Sequence, residues 1–293
     1  MPYLGAHMSI AGGIHLALER MEKIEGRALQ IFTANQRQWR AAKLDAERIA
    51  LYKSRWRESG KPPVASHDNY LINLAALDEQ ILRQSVAAFA EELKRCEDLG
   101  IPYLVMHPGA HGGQGTERGL IRLVENLDLA IETSGVQSVC VLIENTAGQG
   151  SSLGSSFEEI GFILQNSAFG NSMGICYDTA HGFAAGYDIR DVKTYELTFE
   201  KLDRQIGLNR LRFFHINDSK RELGSRVDRH EHIGKGNIGL QGFRLLLNDP
   251  RFDLHPMVLE TPKGKDLRED KENMGLLKSL LEDGRRCQEA VRE

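Results

Sequence analysis

The chain has 293 residues, 41% of them hydrophobic and 27% charged, with a formal net charge of −4 at pH 7. That balance is enough for a large packed core and excludes a mainly disordered chain. No run of 18 apolar residues occurs, so no membrane-spanning helix is expected, and the mild acidity lacks the basic footprint common among nucleic-acid binders.

From the N-terminus onward, short apolar runs alternate with longer segments of helical periodicity. The opening MPYLGAHMSIAGG has no basic-then-apolar leader, and Cys96, Cys140, Cys176 and Cys287 are scattered without a CxxC pair. The expectation is reduced thiols in a cytoplasmic protein, with Cys140 and Cys176 in the core. Strands are predicted over 3–6, 28–32, 63–66, 103–106, 138–143, 173–177, 211–214 and 255–259. Each is followed by a helical or loop-plus-helical stretch, as over 44–56 and 85–100, and the chain closes with an amphipathic helix and polar tail over 271–293. Eight βα units without a low-complexity linker predict an α/β fold, a (β/α)8 TIM barrel occupying 1–293 as a single domain with its active site at the C-terminal rim of the strands.

In such a barrel the residues just after the strands converge on one rim, however far apart they are in the chain. The third strand is followed by His67, the fourth by His107, the fifth by Glu144, the sixth by Asp178 and His181, the seventh by His215 and the eighth by Glu260. The long loop after His215 adds Asp228 and His230, spaced so that an extended segment points both to one side. A lone histidine or aspartate at a strand end is commonly a loop cap, but six such ends in succession call for a common cause. Five histidines and four carboxylates without a thiolate suit catalytic zinc, with manganese or iron less well matched. Nine donors exceed what one ion takes and fit two or three ions, a carboxylate bridging two of them. Such a cluster activates water and clamps both oxygens of a phosphodiester, and it equally serves a metal-dependent sugar isomerase or epimerase.

Over nearly all of its length the chain resembles the endonuclease IV family of zinc-dependent abasic-site endonucleases. The stretches that carry the resemblance include GAHMSIAGG (5–13), FTANQRQWRAA (32–42), HDNYLINLA (67–75), HPGAH (107–111), LIENTAGQGSSLG (142–154), DTAHGFAAGYD (178–188), HINDSK (215–220), GSRVDRHEHIGKGNIG (224–239) and LETP (259–262). The resemblance implies a base-excision repair enzyme with three zinc ions. It would cut 5′ to an abasic site in double-stranded DNA, leaving a 3′ hydroxyl and a 5′ deoxyribose phosphate, and would clean blocked 3′ ends.

Carried over by motif, the first zinc falls to His67, His107 and Glu144. The second falls to Glu144 as bridge with Asp178, His215 and Glu260, and the third to His181, Asp228 and His230. Arg37, Tyr70 and Leu71 would wedge into the duplex, with Asn35 and Gln36 on the backbone. Trp39 is expected to anchor its loop, while His7, at the end of the first strand, either stands behind the metal ligands or is a satisfied rim histidine. Three divalent ions would move the net charge to about +2 and focus attraction for phosphate at the rim; Lys220, Arg221, Arg226, Arg229 and Lys235 either extend it or, diluted by Glu222 and Glu231, form a solvated mixed-charge loop. A monomer is expected. A protein that binds damaged DNA without cutting it is the reading from another class, and a bridged metal cluster argues against it.

Overall fold

Strands that are apolar on both faces tolerate neither a solvated face nor an open edge, and here the chain closes them on themselves. The computed structural model describes residues 1–36, 38–39 and 42–282. Its strands are β1 (Tyr3–Met8), β2 (Ala28–Phe32), β3 (Val64–His67), β4 (Tyr103–Met106), β5 (Cys140–Glu144), β6 (Gly174–Asp178), β7 (Leu211–His215), β8 (Asp218–Ser219), β9 (His230–Glu231) and β10 (Pro256–Leu259). Eight of them form a closed parallel barrel in the order β1-β10-β7-β6-β5-β4-β3-β2, while β8 and β9 form a separate antiparallel pair.

The helices are α1 (Leu16–Lys23), α2 (Ala46–Glu58), α3 (Glu79–Leu99), α4 (Thr116–Ser134), α5 (Phe157–Asn166), α6 (Thr179–Ala185), α7 (Val192–Gln205), α8 (Gly239–Asn248) and α9 (Arg268–Ser279). Several starts are set by side chains that accept otherwise unpaired N–H groups: Asp45 takes that of Arg48, Asp78 those of Gln80 and Ile81, and Ser156 that of Glu159. At the far end of α3, Gly100 adopts φ 73°, a left-handed turn that costs a residue with a Cβ more. The apolar helix faces cover the outward strand residues in one continuous core, in which each fully buried Leu, Ile or Phe stabilises by ~1.5–3 kcal/mol.

A second, smaller cluster fills the barrel itself: Ala28, Ala65, Val105, Leu142, Cys176, Phe213 and Val258, one from each strand except β1. Strand side chains alternate between faces, so the residue two positions on points the same way. Those residues are Gln30, His67, His107, Glu144, Asp178, His215 and Glu260. In β1 the equivalent pair is Gly5 and His7, and Gly5 has no room for a side chain because a Cβ there would meet the Ala28 carbonyl oxygen at 1.8 Å. The alternation that buries an apolar plug thus lines the mouth above it with polar groups.

The predicted strands over 63–66, 138–143, 173–177 and 211–214 stop one residue early. His67, Glu144, Asp178 and His215 lie within the ladder, as the register pairs Phe32 with His67 and Asp178 with His215 show. Their polarity reads as a strand end in the sequence, whereas the backbone continues pairing. The β8–β9 pair was not expected, since two-residue strands carry no periodicity. Cys96 and Cys176 are buried, but Cys140 is only half-buried, and Cys287 lies outside the described residues.

Candidate metal centre

Glu144 closes β5 and is fully buried. His67 Nε2 at 3.1 Å and His107 Nε2 at 3.2 Å face its Oε2, while His215 Nδ1 at 2.9 Å and His181 Nδ1 at 3.1 Å face its Oε1. Three groups of donor atoms, each within 4.8 Å of one another, surround it: His67, His107 and Glu144; Glu144, Asp178, His215 and Glu260; and Asp178, His181 and His230. Glu144 and Asp178 each belong to two groups. Asp228 flanks the third, its Oδ2 lying 3.2 Å from His181 Nε2 and its Oδ1 3.5 Å from His230 Nε2. All nine residues singled out as donors therefore meet at one mouth.

The Asp-x-x-His spacing of β6 and α6 has a local reason. Asp178 is both the last strand residue and the cap of α6, where its Oδ1 accepts the His181 N–H at 2.8 Å, so one turn of helix returns the imidazole to the carboxylate. Across the mouth, β9 brings His230 alongside Ser219 of β8, and its Nδ1 donates to the Glu260 carbonyl at 3.1 Å.

Four of the five histidines have one ring nitrogen tied to a fixed acceptor. His67 Nδ1 meets the Asp68 carbonyl at 2.9 Å, His181 Nδ1 the Asn145 carbonyl at 3.0 Å, His230 Nδ1 that of Glu260, and His215 Nε2 the Gln30 Oε1 at 2.8 Å. Those N–H bonds leave the opposite nitrogen of each ring with its lone pair toward the cluster, the arrangement typical of metal-bound histidine. His181 Nε2 and His230 Nε2 are buried without a hydrogen bond. Buried polar atoms of this kind, aimed into a set of carboxylates and lacking thiolates, fit divalent zinc.

Charge compensation runs through the whole cluster. Burial pushes Glu144 upward, but the imidazoles of His215, His107 and His181 outweigh it and hold the carboxyl well below its ordinary range. Glu260 is held low in the same way by His215 and His7. Asp228, against burial, is drawn to about 2 by His181. Burial likewise presses His67, His181 and His215 downward, and the facing carboxylates hold all three above the ordinary imidazole value. Protons and metal ions are thus alternative sources of the positive charge these carboxylates need.

Three amides that the sequence reading missed complete the site. Gln30 is fully buried in β2 and bridges His215 and Glu260, its Nε2 lying 2.7 Å from Glu260 Oε1. Asn217 donates to Asp178 Oδ2 at 2.7 Å and accepts the Glu260 N–H. Asn145 exchanges two bonds with the Asp178 backbone. A glutamine in the middle of the apolar run ALQIF was the one available signal. His7 Nδ1 sits 2.9 Å from Glu260 Oε1.

Of the residues expected at DNA, Tyr70 is exposed at the rim, its ring 5.5 Å from Phe32 and 6.0 Å from His67, and Leu71 beside it is half-buried. Asn35 is exposed, Gln36 and Trp39 are half-buried, and Arg37 lies outside the described residues. Lys220, Arg221, Arg226, Arg229 and Lys235 are all exposed. An open cavity of about 380 Å³ runs between Tyr70, His107, His181, Asp228 and Arg229.

The profile of the xylose isomerase-like TIM barrel family matches residues 18–280. A protein of Chloroflexus aggregans named probable endonuclease 4 is 50% identical over 281 residues, 96% of this chain and 98% of its own. The crystal structure of endonuclease IV from Thermus thermophilus superposes with a TM-score of 0.86 at 35% identity, covering 95% of this chain and 98% of that one. A D-tagatose 3-epimerase-like protein shares the fold, with a TM-score of 0.71 at 18% identity over 94% and 96% of the two chains.

Proposed function

We propose, from the premise that this chain belongs to the endonuclease IV family, that it is a DNA-repair phosphodiesterase acting on abasic sites. It cuts the backbone 5′ to the site, leaving 3′-hydroxyl and 5′-deoxyribose phosphate ends, and it trims blocked 3′ ends. The observation that carries this reading is Glu144, a fully buried carboxylate with His67 and His107 against one oxygen and His215 against the other, suited to serve two cations at once.

His67, His107 and Glu144 would hold one Zn2+. Glu144, Asp178, His215 and Glu260 would hold a second, and His181, Asp228 and His230 a third, with Mn2+ or Fe2+ acceptable to the same donors. Zinc in such a site polarises a phosphate and supplies an activated water near neutral pH. Glu144 would help orient the attacking water, and Asp228 is the most exposed of the acidic donors. Arg37, Tyr70 and Leu71 fill the stack where a base is missing, while Asn35 and Gln36 hold the backbone. The enzyme works as a monomer in the cytoplasm; among the described residues no helix is long and apolar enough to cross a membrane.

The test is incision of a duplex oligonucleotide carrying one abasic site, without magnesium and after brief exposure to chelator, with the new 3′ end identified. Cutting 5′ to the site to leave a 3′ hydroxyl is expected. Glu144→Gln should lower the rate by about 10²- to 10⁴-fold while damaged-DNA binding persists. Folded, zinc-loaded protein that leaves the duplex intact but epimerises or isomerises a free sugar would sink the nuclease reading.

A further inference from the structure

Among the described residues between β2 and α2 there is no helix or strand, so their carbonyls need partners from elsewhere. Two side chains supply them. Arg95 on α3 donates through Nη2 to the Thr33 carbonyl, through Nη1 to the Ala42 carbonyl at 2.8 Å and through Nε to Thr33 Oγ1 at 3.0 Å. Asn69, after β3, donates through Nδ2 to the carbonyls of Asn35 at 3.3 Å and Gln38 at 3.0 Å. One guanidinium therefore ties together two points nine residues apart in the chain, and a neighbouring amide holds the stretch between them.

This arrangement is costly to build. Arg95 is 4% exposed, Glu92 6% and Thr33 3%. Arginine and glutamate are seldom buried so fully without a partner, and a leucine on that face of α3 would pack against the barrel with no charge to desolvate. Glu92, one turn before Arg95, accepts the Thr33 hydroxyl at 2.5 Å, so the three side chains form one connected network. Burial pushes its carboxyl up to about 7 despite the hydrogen bond from Thr33 and the nearby Arg95. Lysine could not replace the arginine, since its single ammonium lacks the flat fork that reaches two carbonyls and a hydroxyl together. None of the nine metal donors is a hydrogen-bond partner of Arg95, which separates it from the metal centre.

We propose that Arg95 is a positioning residue for substrate selection: by tying Thr33 to Ala42 it sets the placement of Asn35 and Gln36, and with it the preference for abasic over intact duplex. The inference rests on the DNA reading given above. It assigns the selectivity of an exposed loop to a buried helix residue beneath it.

The test uses the full, zinc-loaded chain carrying Arg95→Lys, with hydrogen exchange of the segment 33–42 measured beside incision kinetics. Faster exchange in that segment is expected, together with a KM for abasic duplex raised roughly 10- to 100-fold, a smaller change in kcat and wild-type zinc content. Preference for abasic over intact duplex in binding should fall in parallel. If Arg95→Lys does not fold, Thr33→Val removes the hydroxyl between Arg95 and Glu92 with little change of shape, and the same shifts are expected at smaller size. Unchanged exchange would overturn the clamp. Faster exchange with wild-type KM and selectivity would overturn its role in recognition. Failure of the wild-type protein to incise any abasic duplex would instead strike at the DNA reading, which the wild-type control reveals before any variant is compared.

Discussion

Glu144 and Gln30 show how much one side chain does at this mouth. Glu144 has two histidines at about 3 Å from each of its oxygens, so its role follows from where three strands and a helix deliver their imidazoles. Gln30 carries no charge, yet it fixes which nitrogen of His215 faces the cluster and holds a carboxylate oxygen of Glu260. Outer partners of this kind orient the ligands and raise their basicity, and so tune metal affinity. Gln30→Leu is therefore expected to weaken zinc retention by about 10- to 100-fold, read as metal lost to a calibrated chelator, with incision falling in step. Full zinc retention in a folded variant would show that His215 keeps its orientation without the amide.

Among the elements, α3 does more than cover the barrel. Its outer length is set by the Asp78 cap and the Gly100 stop, while its inner face carries Arg95 and Glu92 to the loop after β2. Glu92 also gives α3 a measurable pH signature. Its folded pKa of about 7 lies above the ordinary 4.5, so between these values the native state holds a proton that the unfolded chain has released. Stability from this group is therefore present at low pH, declines as pH rises from about 4.5 to 7 and is flat beyond. Glu92→Gln should remove that slope. Relative to wild type, the variant is expected to gain about 2–3 kcal/mol on going from pH 5 to pH 8 in urea titrations. Parallel pH profiles for the two proteins would place the carboxyl in contact with solvent.

The whole molecule decides which substrate class can reach the cluster. The same barrel serves an epimerase-like protein at 18% identity, so the fold by itself does not separate a sugar from a nucleic acid. The salt dependence of binding does. The chain carries −4 overall, yet five exposed basic residues lie along the segment that brings Asp228 and His230 to the mouth. A polyanion bound there releases counterions, while a neutral sugar does not. Binding of abasic duplex is expected to weaken linearly in log–log form with salt, by a slope of about −0.9 per phosphate contacted. A flat dependence over the same range would favour a small uncharged substrate.

The sequence by itself determined the eight βα units and the donor types at the strand ends. Both are local properties: an apolar run followed by a polar residue shows a strand and its mouth-facing terminus without reference to anything distant. Even the one-residue errors at His67, Glu144, Asp178 and His215 came from that local rule, because a polar side chain reads as an ending while the backbone ladder does not distinguish it. Family-like stretches such as HINDSK and DTAHGFAAGYD added what spacing does not carry. The pairing of groups far apart in the chain was decided only by the tertiary structure. Gln30 meets His215 across 185 residues, Asn217 meets Asp178 across 39, and Arg95 meets Thr33 across 62. Glutamine, asparagine and arginine are common surface residues, and although the apolar run ALQIF marks Gln30 as buried, nothing near any of the three identifies its partner. They become so because folding buries each of them away from water, and each buried donor and acceptor must then find its partner within the protein.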